Sequence, residues 1–330
     1  MKKSMYFYTN GTLKRHENTL QFISAENEKK HLPIEQIDDI YVFGEMNINT
    51  KLINFLSQHG IIVHFFNYYT FYTGSFYPKE SAVSGNLLVN QVKYYTDSEM
   101  RLSLAIKFIE AAAVNIYRNL RYYNGRGKNV EEGMKLIERL QRKIPNCKSV
   151  QELMGIEGNI RKIYYDSWQN IISQEFEFEK RVKNPPDNIV NTLISYINTL
   201  IYTRVLGEIY STQLNPTISY LHEPGTRRFS LSLDIAEIFK PLIGDRLIFS
   251  LLNKRQISQK HFSKELNYLH LTKAGSQIIL KEFDERLAKT IKHKTLGRSV
   301  SYKQLIRLEC YKLIKHLIGE KEYEGFTIWW

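Results

Sequence analysis

The sequence predicts an α+β protein: a small N-terminal antiparallel β domain with one short helix, joined by a linker to a larger all-α domain. Three observations predict it. Residues 4 to about 80 hold short runs rich in aromatic and β-branched side chains, broken by turn-forming pairs. From Ser98 onward the apolar residues recur at three and four instead of two. Between these regions, 81–92 carries Gly85 and several small polar residues, with Pro78 just before it. The boundaries so drawn are 1–80, 81–92 and 93–330.

In the first region, Met5-Tyr6-Phe7-Tyr8 and the run from Thr19 to Ile23 read as strands, with Asn10-Gly11 as a hairpin-type turn. Asp39 to Phe43, Ile61 to Phe66 and Phe71 to Phe76 are further strands. One helix interrupts them: Leu52, Ile53 and Leu56 share a face, Asn49 or Thr50 can cap its start, and Gly60 can end it. In the second region Ser98 can cap a long helix with Leu102, Ala105, Ile106, Ile109, Ala112 and Ala113 on one face, ending near Asn124-Gly125. Ser149-Val150-Gln151-Glu152 fits a capping box opening a helix that carries Glu157 toward Gln174. Pro185-Pro186 breaks the chain, and Asp187 can cap a helix from Asn188 to about Ser211. A loop through Pro216 and Pro224 leads to a helix starting near Ser230 or Ser232, which Pro241 should kink. The remainder reads as helical and rich in Lys and Arg.

Composition narrows the function. Lys and Arg number 46 against 34 Asp and Glu, a formal charge of +12, which favours polyanions such as nucleic acid or anionic membrane. The excess is concentrated: from Pro241 to Trp330 there are 17 Lys and Arg against 9 Asp and Glu. Cys147 and Cys310 form no CxxC pair, so neither a disulfide framework nor a cysteine zinc site is indicated. The most apolar stretch, Ile61 to Phe66, is too short to cross a bilayer, and Tyr6, Tyr8, Thr9 and Asn10 interrupt any signal-peptide core. A soluble, cytoplasmic protein without membrane attachment is expected. The absence of GxxxxGK[ST], GxGxxG, GxSxG and HExxH argues against nucleotide-driven, serine-hydrolase and zincin chemistry.

Divalent ions that act on phosphates need carboxylate oxygens, and imidazole suits manganese and later transition metals. The segment from His222 to Glu237 offers such groups. Asp234 and Glu237, three apart on a helix, project from one side amid Leu233, Ile235, Ala236, Ile238 and Phe239. Carboxylates beside an apolar surface need a cation or donors to offset their desolvation. The same pair is also what the dipole favours in the first turns of any helix. Glu157 lies between Gly155 and Gly158, poor helix formers that suggest close approach of a backbone or ligand. An exposed helical glutamate beside packing glycines fits those letters equally well. His222 lies in an interhelical loop, where functional side chains concentrate, yet a lone loop histidine is commonly a surface residue.

Taken together, these runs are similar to a known family. Met154-Gly155-Ile156-Glu157-Gly158 with Tyr164-Tyr165, then Tyr220-Leu221-His222-Glu223-Pro224, then the run from Ser230 to Pro241 resemble the Cas-one family, the CRISPR-associated integrases that insert new spacers in antiviral defence. The stretch from Asn191 to Tyr196 resembles that family's helix between the ligand regions, and the strand-rich beginning its small β domain. The ending from Leu296 to Tyr302, with Leu305 to Glu309, looks like variants found beside type I-B interference systems. The resemblance implies Glu157, His222 and Glu237 as the catalytic ligands of Mg²⁺ or Mn²⁺, with Asp234 and Tyr165 in support. Many relatives carry aspartate where Glu237 stands, which changes the reach of the ligand but not its charge. The implied reaction is attack of a DNA 3′-hydroxyl on a phosphodiester, or nicking when water attacks instead. A homodimer and a small Cas-two partner protein are implied as well, with the aromatic-rich β domain as the dimer surface.

For holding double-stranded and branched DNA, Arg227 and Arg228 are expected to clamp a phosphate beside the ion. Arg286, Lys289, Lys292, Lys294 and Arg298 form a basic cluster. Lys303 and Arg307 border the apolar face of the last helix, made by Ile306, Cys310, Leu313, Ile314 and Leu317, and the Asn124 to Lys128 loop adds further cations. Charge alone leaves two other readings open: a non-catalytic nucleic-acid scaffold, and a structured-RNA nuclease.

Overall fold

The computed structural model describes all residues except 1, 68, 80–82, 184, 226–228, 266, 267 and 330. The chain folds as two compact units, Met1–Ser81 and Ala82–Trp330.

The first unit holds β1 (Lys3–Phe7), β2 (Gly11–His16), β3 (Thr19–Ser24), β4 (Lys29–Pro33), β5 (Ile37–Val42), β6 (Met46–Asn47), α1 (Thr50–Gln58), β7 (Ile62–Phe66) and β8 (Tyr72–Phe76). They form two four-stranded sheets, ordered β1-β5-β7-β8 and β4-β3-β2-β6. Pairing is mixed, not purely antiparallel as the sequence suggested: β1, β5 and β7 run parallel, and β6 runs parallel to β2. Parallel neighbours need a crossover, and α1 supplies one on the way from β5 to β7. Asn49 caps α1 by accepting from Leu52 N–H at 3.0 Å, and Gly60 at φ +66 follows its end.

Asn10-Gly11 closes no hairpin, because β1 and β2 lie in different sheets. Asn10 instead accepts from Glu45 N–H at 2.9 Å, and a Cβ on Gly11 would stand 2.3 Å from the Ile23 carbonyl oxygen, so only glycine fits this approach. The hairpin is β2 to β3, turning at Glu17 with φ 51. Leu13, Leu20, Ile37, Ile40, Leu52 and Phe55 from both sheets and α1 fill one core.

The second unit begins with α2 (Gly85–Thr96), capped by Ser84. The stretch expected as linker is therefore helical from Gly85, with Leu87 and Gln91 buried one turn apart. Next come α3 (Ser98–Asn124), α4 (Glu131–Gln141), α5 (Val150–Asp166), α6 (Trp168–Ile171), α7 (Ile189–Tyr210), α8 (Ser230–Phe239) and α9 (Arg246–Asn253). Caps fall one residue from two expectations: Asp97, not Ser98, accepts the first amides of α3, and Asn188, not Asp187, caps α7. Ser149 caps α5 as expected, but Glu152 reaches the N–H of Lys148 instead of completing the box.

Pro241 does not break the chain into a kinked α-helix. Without an N–H to give, it sits in a π-helical turn, Lys240–Asp245, between α8 and α9. A Cβ on Gly244 would lie 2.8 Å from Ile201 Cδ1, so this turn packs closely on α7.

Beyond α9 the chain is not all helical. It forms β9 (Phe262–Glu265), β10 (Tyr268–Leu271), α10 (Lys273–Ala288), β11 (Thr290–Lys292), β12 (Ser299–Ser301) and α11 (Tyr302–Leu317), with β9–β10 and β11–β12 as antiparallel hairpins. Runs of three or four residues leave too little alternation to read, and Gly297 at φ +64 lets the second turn close.

α8 is the buried centre of this unit, packed against α3 and α7. Asn115 on α3 donates to the carbonyls of Ile238 and Phe326, each at 2.9 Å, and accepts from Ile328 N–H at 2.7 Å. One buried amide thus ties α8 to the segment after α11, where Tyr323, Phe326 and Ile328 are buried. Asn119, one turn on, donates to Tyr164 Oη at 2.9 Å and to the Pro241 carbonyl at 2.8 Å. Among the described residues no helix is long and apolar enough to cross a membrane.

Asn115→Ala strands one buried N–H and two carbonyls. It should lower stability by about 2–4 kcal/mol in denaturant unfolding; a change within about 0.5 kcal/mol would show that the amide is dispensable.

Candidate functional site

The site grows from α8. Asp234 is fully buried there, and its hydrogen bonds go to a single turn. Oδ2 accepts from the backbone N–H of Tyr220 at 2.7 Å and Leu221 at 3.0 Å; Oδ1 accepts from His222 N–H at 3.1 Å and lies 2.8 Å from His222 Nδ1. With Nδ1–H directed at the carboxylate, Nε2 is left as the imidazole's lone-pair nitrogen, the arrangement in which histidines bind metals. Burial disfavours a charged imidazole, but the hydrogen bond and charge of Asp234, with the charge of Glu237, outweigh it and raise the His222 pKa.

Other elements hold the same turn. Ser219 donates to the His222 carbonyl at 2.6 Å, and Arg101 on α3 donates to the Tyr220 carbonyl at 2.9 Å and to Glu223 at 2.7 Å. Gln91 on α2 exchanges two hydrogen bonds with the backbone of Asn215, and Ser230 donates to the Thr217 carbonyl, fixing the chain that enters α8.

Glu237, one turn along α8 from Asp234, meets Glu157 of α5 through a guanidinium. Arg161 donates Nε–H to Glu157 Oε1 at 3.1 Å and Nη2–H to Glu237 Oε2. Lys240 donates to the other oxygen of Glu237 and lies 4.9 Å from the centre of the Tyr202 ring. Burial pushes the Glu237 carboxyl up, but the Arg161 and Lys240 charges override it and hold the group well below the usual carboxylate range. Asp245, at the end of the π-turn, is buried as well, and among the described residues its Oδ2 has no hydrogen-bond partner. Its pKa is pushed up to about 6 by burial, against the charges of Arg161 and Lys240 and the Tyr164 hydroxyl.

Glu157, Glu237, Asp234 and His222 therefore share one region, built from α5, α8 and the 219–223 turn. Their donors, carboxylates and an imidazole, are of the kind that divalent ions take. In this side-chain arrangement, however, Arg161 and Lys240 occupy the carboxylate oxygens. Among the described residues no three His, Cys, Asp or Glu side chains stand close enough together to hold one ion. Around Gly155 and Gly158, among the described residues, no atom beyond the helix's own neighbouring backbone lies within 4 Å of an added Cβ, so no other backbone makes the close approach that these glycines suggested.

Comparison with known proteins places the chain in a family. The family model for CRISPR associated protein Cas1 matches residues 5–285. The chain belongs to the Cas1 family. A CRISPR-associated endonuclease Cas1 from Fusobacterium nucleatum subsp. nucleatum is 62% identical over 330 residues, covering 100% of this chain and 98% of that protein. The solved structure of a CAS1 protein from Thermotoga maritima superposes with a TM-score of 0.86 at 40% identity, covering 98% of this chain and 100% of that one. A casposase bound to integration product shares the fold at a TM-score of 0.87 and 24% identity, over 98% of this chain and 93% of its own.

Within this Cas1 chain, sequence reading missed Arg161, Lys240 and Asp245. The first two carried a signal: each cation follows a carboxylate by three or four residues, the spacing of a helical ion pair. Tyr165 packs its ring against Trp168 and Phe178 at 5.1 and 5.9 Å, and burial pushes its hydroxyl up to about 12, so it stays protonated.

The basic residues divide. Arg227 and Arg228 lie outside the described residues. Arg286 turns inward, donating to the Leu242 carbonyl at 3.0 Å, and burial lowers its pKa to about 10; Arg307 is spent on the buried Glu208 at 2.6 Å. Lys289, Lys292, Lys294 and Arg298 are exposed on and beside the β11–β12 hairpin, and Lys303 is half-exposed on the first turn of α11.

Asp245 gives a pH signature. Its folded pKa of about 6 exceeds the unfolded value of about 3.9, so its protonated form is favoured by folding, and stability falls as pH rises from about 4 through 6. Asp245→Asn removes that dependence. The melting temperature of the wild-type chain relative to Asp245→Asn should therefore drop between pH 4 and pH 7, and a gap independent of pH would contradict the assignment.

Proposed function

We propose that the chain is a divalent-metal-dependent DNA endonuclease and integrase of CRISPR adaptation, using Glu157, His222 and Glu237 as ligands of Mg²⁺ or Mn²⁺. The observation that carries this reading is the convergence of α5 and α8 through the Glu157–Arg161–Glu237 bridge, beside a histidine whose Nδ1 is committed to Asp234. A bound ion would polarise the phosphodiester and neutralise charge developing on its oxygens. Asp234 fixes the Nδ1–H tautomer of His222, so that the neutral ring presents Nε2 to an ion, and holds the 220–222 backbone against α8. Lys240 keeps Glu237 ionised in a buried setting, so a strong oxygen donor is present at neutral pH.

In strand transfer, a 3′-hydroxyl oxygen bonds to phosphorus as the bond to the departing 3′-oxygen breaks; the attacking hydroxyl loses its proton and the departing oxygen gains one. Water in place of the hydroxyl gives a nick. No covalent protein intermediate is required, and Tyr165, packed among aromatic rings, acts as a wall of the site. The exposed cations of the β11–β12 hairpin hold phosphates without reading bases. The working assembly is a homodimer joined through the β unit, together with a small Cas2 partner.

Glu157→Ala, His222→Ala and Glu237→Ala should each reduce Mn²⁺-dependent joining or cutting of branched DNA by a factor on the order of 10³, with DNA binding largely kept. Full activity in all three variants would remove the ligand assignment. Matched RNA substrates in the same assay separate this reading from that of a structured-RNA nuclease. For the hairpin, replacing Lys289, Lys292, Lys294 and Arg298 by Ala should weaken DNA binding at low salt and flatten the salt dependence by roughly one unit of slope for each phosphate no longer neutralised. An unchanged slope would place the DNA elsewhere.

A further inference from the structure

Among the described residues, Arg161 is the side chain that bridges both carboxylates proposed as ligands. Its Nε–H goes to Glu157 and its Nη2–H to Glu237, while its third nitrogen, Nη1, is buried and has no hydrogen-bond partner among the described residues. A guanidinium carries five donors in a rigid plane. Leaving a buried, charged nitrogen without an acceptor is costly, so native proteins rarely keep one without use. The side chain is 11% exposed, and Gly158, three residues earlier on α5, borders open space.

The charges point the same way. Glu237 is contacted by two cations, one on each oxygen, and Lys240 stays paired with it when Arg161 turns away. A divalent ion taking oxygens from Glu157 and Glu237 would supply positive charge in place of Arg161 and compete with it for the same lone pairs. The planar fork that fits a carboxylate fits a phosphate equally well, because both offer paired oxygens.

We propose that Arg161 closes the Glu157–Glu237 pair in the metal-free protein and, once those carboxylates bind a divalent ion, turns its donors to a non-bridging oxygen of the scissile phosphodiester. The inference rests on the reading of Glu157 and Glu237 as ligands. Arg161 then has two successive roles: it keeps two acidic groups together before loading, and afterwards it helps neutralise the phosphate under attack. The orphaned Nη1 is the donor already free for the second role.

The test is Mn²⁺ titration by calorimetry, without DNA, on the wild-type chain, Arg161→Met, Arg161→Lys and Glu157→Gln, followed by cleavage of branched DNA at saturating Mn²⁺. Arg161→Met should bind Mn²⁺ roughly tenfold more tightly, because its competitor is gone, yet cleave on the order of a hundredfold more slowly. Arg161→Lys should fall between. Should Arg161→Met unfold without metal, recovery of its melting temperature on adding Mn²⁺ and the affinity of Arg161→Lys read the same competition. Unchanged or weaker Mn²⁺ binding in both variants overturns the first role, and undiminished cleavage at saturation overturns the second. If Glu157→Gln binds Mn²⁺ as well as the wild type, the ligand reading itself has failed, an outcome distinct from either.

Discussion

Asp234 commits its carboxylate to the 220–222 turn: three backbone amides and one imidazole nitrogen converge on its two oxygens. A buried carboxylate this well supplied with donors stays in place, whereas one with none would be strongly disfavoured. The bond set joins a non-helical segment to α8 and orients His222 at the same time. The supports from α2 and α3 converge on that segment, through Gln91 and Arg101.

The second centre is organised differently. Glu237 lies almost out of solvent, at 7% exposure, and is kept ionised by two cations from different elements, Arg161 of α5 and Lys240 of the π-turn. The arrangement is a compact network of alternating charge, in which breaking one member would leave another uncompensated. Asp245 lies at its edge, where burial outweighs the charges of Arg161 and Lys240, which is why its carboxyl holds a proton more tightly than a surface aspartate does. The π-turn matters here: it carries Pro241 without ending the helix and places Lys240 and Asp245 at its two ends. Asn119 accepts from Arg246 and donates to Tyr164 and the Pro241 carbonyl, so the same turn is fastened to α3 and α5.

Away from the site, the cationic excess of the last quarter does not form one uniform face. Arg286 is drawn inward by a carbonyl and Arg307, though partly exposed, pairs with the buried Glu208, whereas the lysines of the β11–β12 hairpin remain in solvent. Counting charges along a chain finds both groups alike; packing sorts them, because guanidinium stems cover apolar surface while the head seeks any buried acceptor.

The sequence by itself determined the two-part α+β organisation and the long helices of the second unit through periodicity, while Glu157, His222, Asp234 and Glu237 were singled out by the resemblance to the Cas1 family. Period and local capping are encoded within a few residues, so they survive reading in one dimension. Tertiary structure decided the rest. Parallel pairing of β1, β5 and β7 depends on crossovers between strands distant in sequence, through β2–β4 from β1 to β5 and through α1 from β5 to β7, and the late hairpins are too short to show alternation. The part of Asp234 as an anchor, rather than an equal of Glu237, follows from amides twelve to fourteen residues away. Arg161 shows the limit most plainly: its pairing with Glu157 was legible as a helical repeat, but its bond to Glu237 spans 76 residues and exists only because α5 and α8 fold together.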